Sequence, residues 1–101
     1  MKKSKPILLS AVESTGDYLV AIKPSARKEL DALPESVLAR VVNKIDSLTR
    51  MPRPSGCKKL KGYQDQWRIR VGDWRIVYII DDAGKVLRIT RIAHRSEVYE
   101  S

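Results

Sequence analysis

Between Tyr18 and Ala93 the spacing of apolar residues changes period, and each change predicts an element. "YLVAIK", Tyr18 to Lys23, is a short β-branched and aromatic run stopped by Pro24, which suits a strand. Pro24 and Ser25 then supply helix-start chemistry, and Ala26, Leu30 and Leu33 share one helical face until Pro34 interrupts it. Pro34 can itself open a second helix. There Leu38, Val41, Val42, Ile45 and Leu48 form one apolar stripe, long enough to cover a sheet. "RMPRPSG", Arg50 to Gly56, ends that helix, because two prolines and a glycine cannot continue it. From Cys57 the period becomes two: "CKKLKG", "QWRIRV", "DWRIVYII" and "VLRITRIA" are strand candidates separated by turn residues. The predicted order is a strand, a helical hairpin, and a three- to four-stranded antiparallel meander. With the hairpin on one face of a mostly antiparallel sheet, this is an α+β fold.

The pattern fixes faces as well as elements. If Gly72-Asp73 is the two-residue loop of a tight hairpin, Val71 pairs with Trp74, Arg70 with Arg75, Ile69 with Ile76 and Arg68 with Val77. Cross-strand partners share a face and successive residues alternate. Trp67, Ile69, Val71, Trp74, Ile76 and Tyr78 therefore make one apolar face for the helices to cover. Arg68, Arg70 and Arg75 gather on the other. Like charges so placed repel unless something anionic sits among them, and the planar guanidinium fork suits phosphate. The plainer alternative is that these arginines are long amphipathic covers for an exposed sheet face. Lys58, Lys59 and Lys61, just before the hairpin, extend the positive surface and the case for phosphate contact.

Composition narrows the partner. The 101 residues suffice for one domain with a modest core, read as 18–101 behind a tail or leader strand at 1–17. Twenty Lys and Arg against twelve Asp and Glu give a net charge of +8, which points to a polyanion, either nucleic acid or an acidic protein. No apolar run approaches the roughly 18 residues of a membrane span. The opening "MKKSKPILLSAVES" has the Lys-rich start of a signal peptide, but Ile7 to Val12 is shorter than the usual ~7 to 15-residue apolar region. With a single cysteine, Cys57, and a single histidine, His94, neither an internal disulfide nor a Cys/His zinc cluster is expected. The expectation is a cytoplasmic protein without metal or cofactor.

The chain ends "RITRIAHRSEVYES", which places His94, Arg95 and Tyr99 together after the last strand. His94 is the obvious proton carrier if a site exists, though a lone histidine at a strand end is more often structural. With "KPSARKELDALP", "KKLKG", "WRIRVGDWRIVYIIDD" and "HRSEVY", the chain from about Tyr18 to Glu100 resembles the RelE toxins of the RelE/ParE superfamily. The resemblance implies a RelE-like fold and the activity of a ribosome-dependent endoribonuclease that cuts mRNA in the ribosomal A site. It also implies an acidic antitoxin partner, which in this family often carries the pair to its own promoter. Arg68, Arg70 and Arg75 match the family's basic catalytic positions, Tyr99 its terminal tyrosine, and Lys59 and Lys61 basic residues that help to bind RNA. Strand positions that carry lysines in the best-studied pattern are arginines here.

Cutting RNA without metal requires taking a proton from a 2′-hydroxyl, stabilising a phosphorane and protonating the departing 5′-oxygen. Arginine suits the second task and is a poor base, its pKa exceeding roughly 12. Arg75, with Arg68 and Arg70, would clamp the phosphate, His94 or Tyr99 would orient or move the proton, and Arg95 would support the site. The same fold also hosts ParE-like inhibitors of DNA gyrase, and a non-catalytic RNA- or ribosome-binding module is a third reading.

Overall fold

The computed structural model of the protein describes residues 17–62 and 65–98. The leader at 1–17, apart from Asp17, and Tyr99 lie outside the described residues. The elements are β1 (Leu19–Ile22), α1 (Pro24–Asp31), α2 (Glu35–Arg50), β2 (Lys58–Lys59), β3 (Gln66–Val71), β4 (Trp74–Asp81) and β5 (Val86–His94), followed by a 3-10 turn at Arg95–Glu97. They form a five-stranded sheet in the order β1-β5-β4-β3-β2. The α+β expectation holds. Only β1 runs parallel to its neighbour: it lies beside β5, the last strand, rather than extending the meander.

Pro24 starts α1 at a position where the missing N–H costs nothing, and Pro34 immediately precedes α2. Glu35 in the first turn of α2 and Arg50 in its last complement the helix dipole. The stripe read from the sequence is the buried one, with Val41, Ile45 and Leu48 fully covered. They belong to one core with Ile69, Ile76, Tyr78, Leu87, Ile89 and Ile92. The Tyr78 hydroxyl, buried under the loop after α2, donates to the Pro52 carbonyl at 2.7 Å.

β5 is not a plain strand. Its register against β4 slips between Val77 and Tyr78, so that Val77 faces Arg91 while Tyr78 faces Ile89. Thr90 is the extra residue, and its hydroxyl donates to the Val77 carbonyl at 3.2 Å. The bulge lets both Ile89 and Ile92, three positions apart, reach the core. Beyond the end of β1 the outer edge of β5 passes to α1. There a Glu29 carboxylate oxygen accepts the Ile92 backbone N–H at 2.7 Å, and the other lies 3.3 Å from Arg91 Nε. A helix side chain thus covers an edge that would otherwise be open to pairing.

The end of the sheet opposite the β3–β4 turn is closed by ions. Arg53, in the loop after α2, meets Asp65 at 2.7 Å and Asp82 at 2.9 Å, with its guanidinium 5.3 Å from the centre of the Trp67 ring. The Tyr18 hydroxyl donates to Asp82 at 2.6 Å, and the Trp67 indole N–H donates to Asp65 at 2.8 Å. The Arg53 guanidinium, with Tyr18, holds the Asp82 carboxyl below the usual range. At Asp65 burial pushes upward, but the Trp67 and Arg53 hydrogen bonds outweigh it and the carboxyl is again lowered.

Candidate nucleic-acid site at the hairpin end

The β3–β4 register is the one the alternation predicts, from Val71 opposite Trp74 to Trp67 opposite Tyr78. Gly72 takes φ +60, the conformation a glycine-first two-residue turn requires. The turn also receives Arg40 from α2: a Cβ on Gly72 would lie 2.5 Å from Arg40 Nη2. On the other side Arg75 folds back, its Nη1 donating to the Gly72 carbonyl at 3.3 Å and the Trp74 carbonyl at 3.0 Å. The Arg95 backbone N–H donates to the Asp73 carbonyl at 2.8 Å, which ties the 3-10 turn to the hairpin. Arg95 Nε stands 3.7 Å from Asp73 Oδ1.

His94 ends β5 opposite Trp74, and their rings meet edge to face with centroids 5.5 Å apart. Its Nδ1 caps the 3-10 turn by accepting the Ser96 N–H at 3.3 Å, with Ser96 Oγ at 3.0 Å. Arg75, His94, Arg95 and Ser96 together line a shallow cleft of ≈ 410 Å³. Among the described residues no carboxylate lines it. A group of guanidinium and imidazole nitrogens converging on one depression is chemically a receptor for an anionic oxygen.

The sequence-predicted residues divide. Arg75, His94 and Arg95 share the cleft, and Arg70 lies directly across the hairpin from Arg75. Arg68 and its neighbour Lys58 share that sheet face one row further on, roughly 7 Å away at the usual strand rise. The face is not a bare platform, since Arg68 is 4 % and Arg75 5 % exposed while Arg70 is open to solvent. Lys59 points to the opposite face, where it sits 6.0 Å from the Trp67 ring and 3.8 Å from Asp65. Lys61 is exposed in the loop after β2. Two neighbours went unnoticed in the sequence, Arg40 and Ser96. Arg40 belongs to the polar side of α2, and nothing in the helical period marks it; only tertiary packing brings it to Gly72.

A model of the family described as ParE toxin of type II toxin-antitoxin system, parDE, matches residues 20–99. Toxin RelG of Mycobacterium tuberculosis is 32% identical over 83 residues, which cover 81% of this chain and 95% of that protein. Among solved structures, the archaeal RelE-RelB complex from Pyrococcus horikoshii matches with a TM-score of 0.72 and 30% identity, covering 81% of this chain and 99% of that one. The toxin-antitoxin complex RelBE2 from Mycobacterium tuberculosis matches with a TM-score of 0.68 and 33% identity, over 78% and 99% of the two chains. The fold is that of a toxin component. The chain belongs to the RelE/ParE family of type II toxin-antitoxin toxins.

Proposed function

We propose that this toxin is a ribosome-dependent endoribonuclease that cleaves mRNA in the A site through attack of a 2′-hydroxyl, without a metal ion, and so stops translation. The observation that carries the reading is the cleft in which Arg75, His94 and Arg95 meet, with no acid among its described lining residues. Arg75 is held by two turn carbonyls, so its guanidinium is oriented before substrate arrives, as electrostatic stabilisation of a phosphorane requires. Arg70 and Lys58 would hold flanking phosphates on the same face. Among the described residues no group of three or more His, Cys, Asp or Glu side chains is placed to share a metal.

The proteins it resembles are crystallised as RelE-RelB and RelBE2 toxin-antitoxin complexes. A cognate antitoxin, acidic to match the charge of +8, is the corresponding partner here. No helix among the described residues is long and apolar enough to cross a membrane. A ribosome-dependent activity would act in the cytoplasm.

The test is primer extension on an mRNA programmed into ribosomes, with wild-type protein, with Arg75→Ala, and with chelator present. Chelator-resistant cuts that need the ribosome and fall by about 10² to 10³ with Arg75→Ala support the reading. Uncut mRNA with folded protein refutes it. Because the matching family model carries the ParE name, a gyrase supercoiling assay on the same preparation decides the rival activity.

A further inference from the structure

We infer that His94 serves the cleft as an Nε2–H hydrogen-bond donor and not as a proton acceptor, its tautomer fixed by the backbone N–H of Ser96. The inference rests on the ribonuclease reading and assigns one residue's role within it. A backbone N–H can only donate, so the 3.3 Å contact from Ser96 N calls for an accepting Nδ1, and the Ser96 hydroxyl, 3.0 Å away and able to donate or accept, can donate to the same nitrogen. A neutral imidazole whose Nδ1 lone pair is engaged carries its single proton on Nε2. The opposite tautomer would give its Nδ1–H to Ser96 Oγ and leave the Ser96 N–H facing a donor in place of its acceptor.

Other contacts keep this geometry. The Trp74 ring lies nearly perpendicular to the imidazole, at 88°, which restricts rotation of the ring. The Arg95 N–H bound to the Asp73 carbonyl holds the start of the 3-10 turn, and with it the position of the Ser96 N–H. Nε2 is then the ring nitrogen left for a ligand, beside two guanidiniums that are donors at every working pH. The lining offers three cationic or N–H groups to an anionic oxygen and, in this tautomer, no ring nitrogen to receive the 2′-hydroxyl proton. His94 therefore binds a phosphate or phosphorane oxygen, and the proton goes to a group other than this ring.

The chain has one histidine, so its two ring nitrogens can be observed without assignment. In 15N-labelled toxin, long-range proton–nitrogen correlation of the neutral ring is expected to show Nδ1 as unprotonated and Nε2 as protonated. In parallel, His94→Gln and His94→Ala are assayed by ribosomal primer extension. Glutamine can offer an amide N–H near the Nε2 position but cannot accept a proton. His94→Gln should stay within about tenfold of wild type, while His94→Ala loses about 10² to 10³. A protonated Nδ1, or His94→Gln as slow as His94→Ala in a folded protein, overturns the inference, since a lost general base costs about 10² to 10⁴ in both variants. If wild-type protein leaves the mRNA uncut, the nuclease reading falls and the donor role falls with it, whatever the nitrogen spectrum shows.

Discussion

Glu29 offers the sharpest test of what holds the site-bearing strand in place. Its two carboxylate oxygens do different work: one accepts the N–H of Ile92, a residue only 1 % exposed, while the other faces Arg91 at the surface. A hydrogen bond to a charged acceptor contributes about 1.5–3 kcal/mol, and a buried donor stripped of its partner costs about 1–3. The Arg91 pair, with side chains 45% and 31% exposed, is worth about 0–1 kcal/mol. Glu29→Ala should therefore cost about 2–3 kcal/mol. Glu29→Gln keeps an oxygen for the Ile92 N–H and should cost about 1, close to a neutral hydrogen bond. Arg91→Ala should cost less than about 1.

Urea unfolding followed by fluorescence of the two tryptophans reads these values as shifts in midpoint at unchanged slope. Thermal scans should drop by about 4–8 °C per kcal/mol. If Glu29→Ala costs no more than Arg91→Ala, the carboxylate is acting as a surface charge and the edge-covering argument is wrong. The site should register the loss too. His94 and Arg95 follow Ile92 by two and three residues, so amide exchange at Ile92 should rise in Glu29→Ala before that of the β4 core.

The Asp65 and Asp82 carboxyls lie below their ordinary value in the folded chain, so their contribution is complete above that value and is lost as pH falls through the folded pKa values; acid titration of Arg53→Ala should show a shallower loss of stability than wild type. Equal acid slopes would show that Arg53 does not hold them. Gly72→Ala forces a side chain into φ +60, a strain of about 1–2 kcal/mol, and pushes the end of Arg40 aside; an unchanged Tm would refute this account of the turn. Arg40 is exposed on α2, so Arg40→Ala should leave stability within about 0.5 kcal/mol. In anisotropy titrations with single-stranded RNA, that variant should lower the salt slope by about 0.7 if it removes one phosphate contact, and an unchanged slope would exclude Arg40 from the site.

Periodicity made the hairpin legible down to its register, because burial of one face leaves a strand no freedom to slip. The helical stripe was legible for the same reason. The bulge in β5 was visible in principle, since Leu87, Ile89 and Ile92 break the period of two, yet "VLRITRIA" reads first as a plain strand. Lys59 shows the opposite limit. Grouped with Lys58 and Lys61 by sequence, it leaves them by the alternation of a two-residue strand and joins the Trp67 and Asp65 cluster. Neither the parallel placement of β1 nor the meeting of Arg40 with Gly72 has a local signal, since both depend on where the helices carry the chain.

Arginine does opposite things at the two ends of this sheet, and the placement of the acids decides which. At one end Arg53 is flanked by Asp65 and Asp82, so its charge is spent within the molecule and fastens its loop to the residues just before β3 and just after β4. At the other, Arg40, Arg70, Arg75 and Arg95 surround a turn whose acid, Asp73, is 68% exposed and meets Arg95 at 3.7 Å. Self-repulsion there would favour splaying of the hairpin. What resists it is local and backbone-based: the turn carbonyls that receive Arg75, and the Asp73 carbonyl that anchors Arg95. Carbonyl dipoles orient a guanidinium without neutralising its charge. Substituting carboxylates for them would steady the same side chains and weaken the field that draws an anion, so backbone oxygens suit this end of the hairpin to the phosphate binding proposed above.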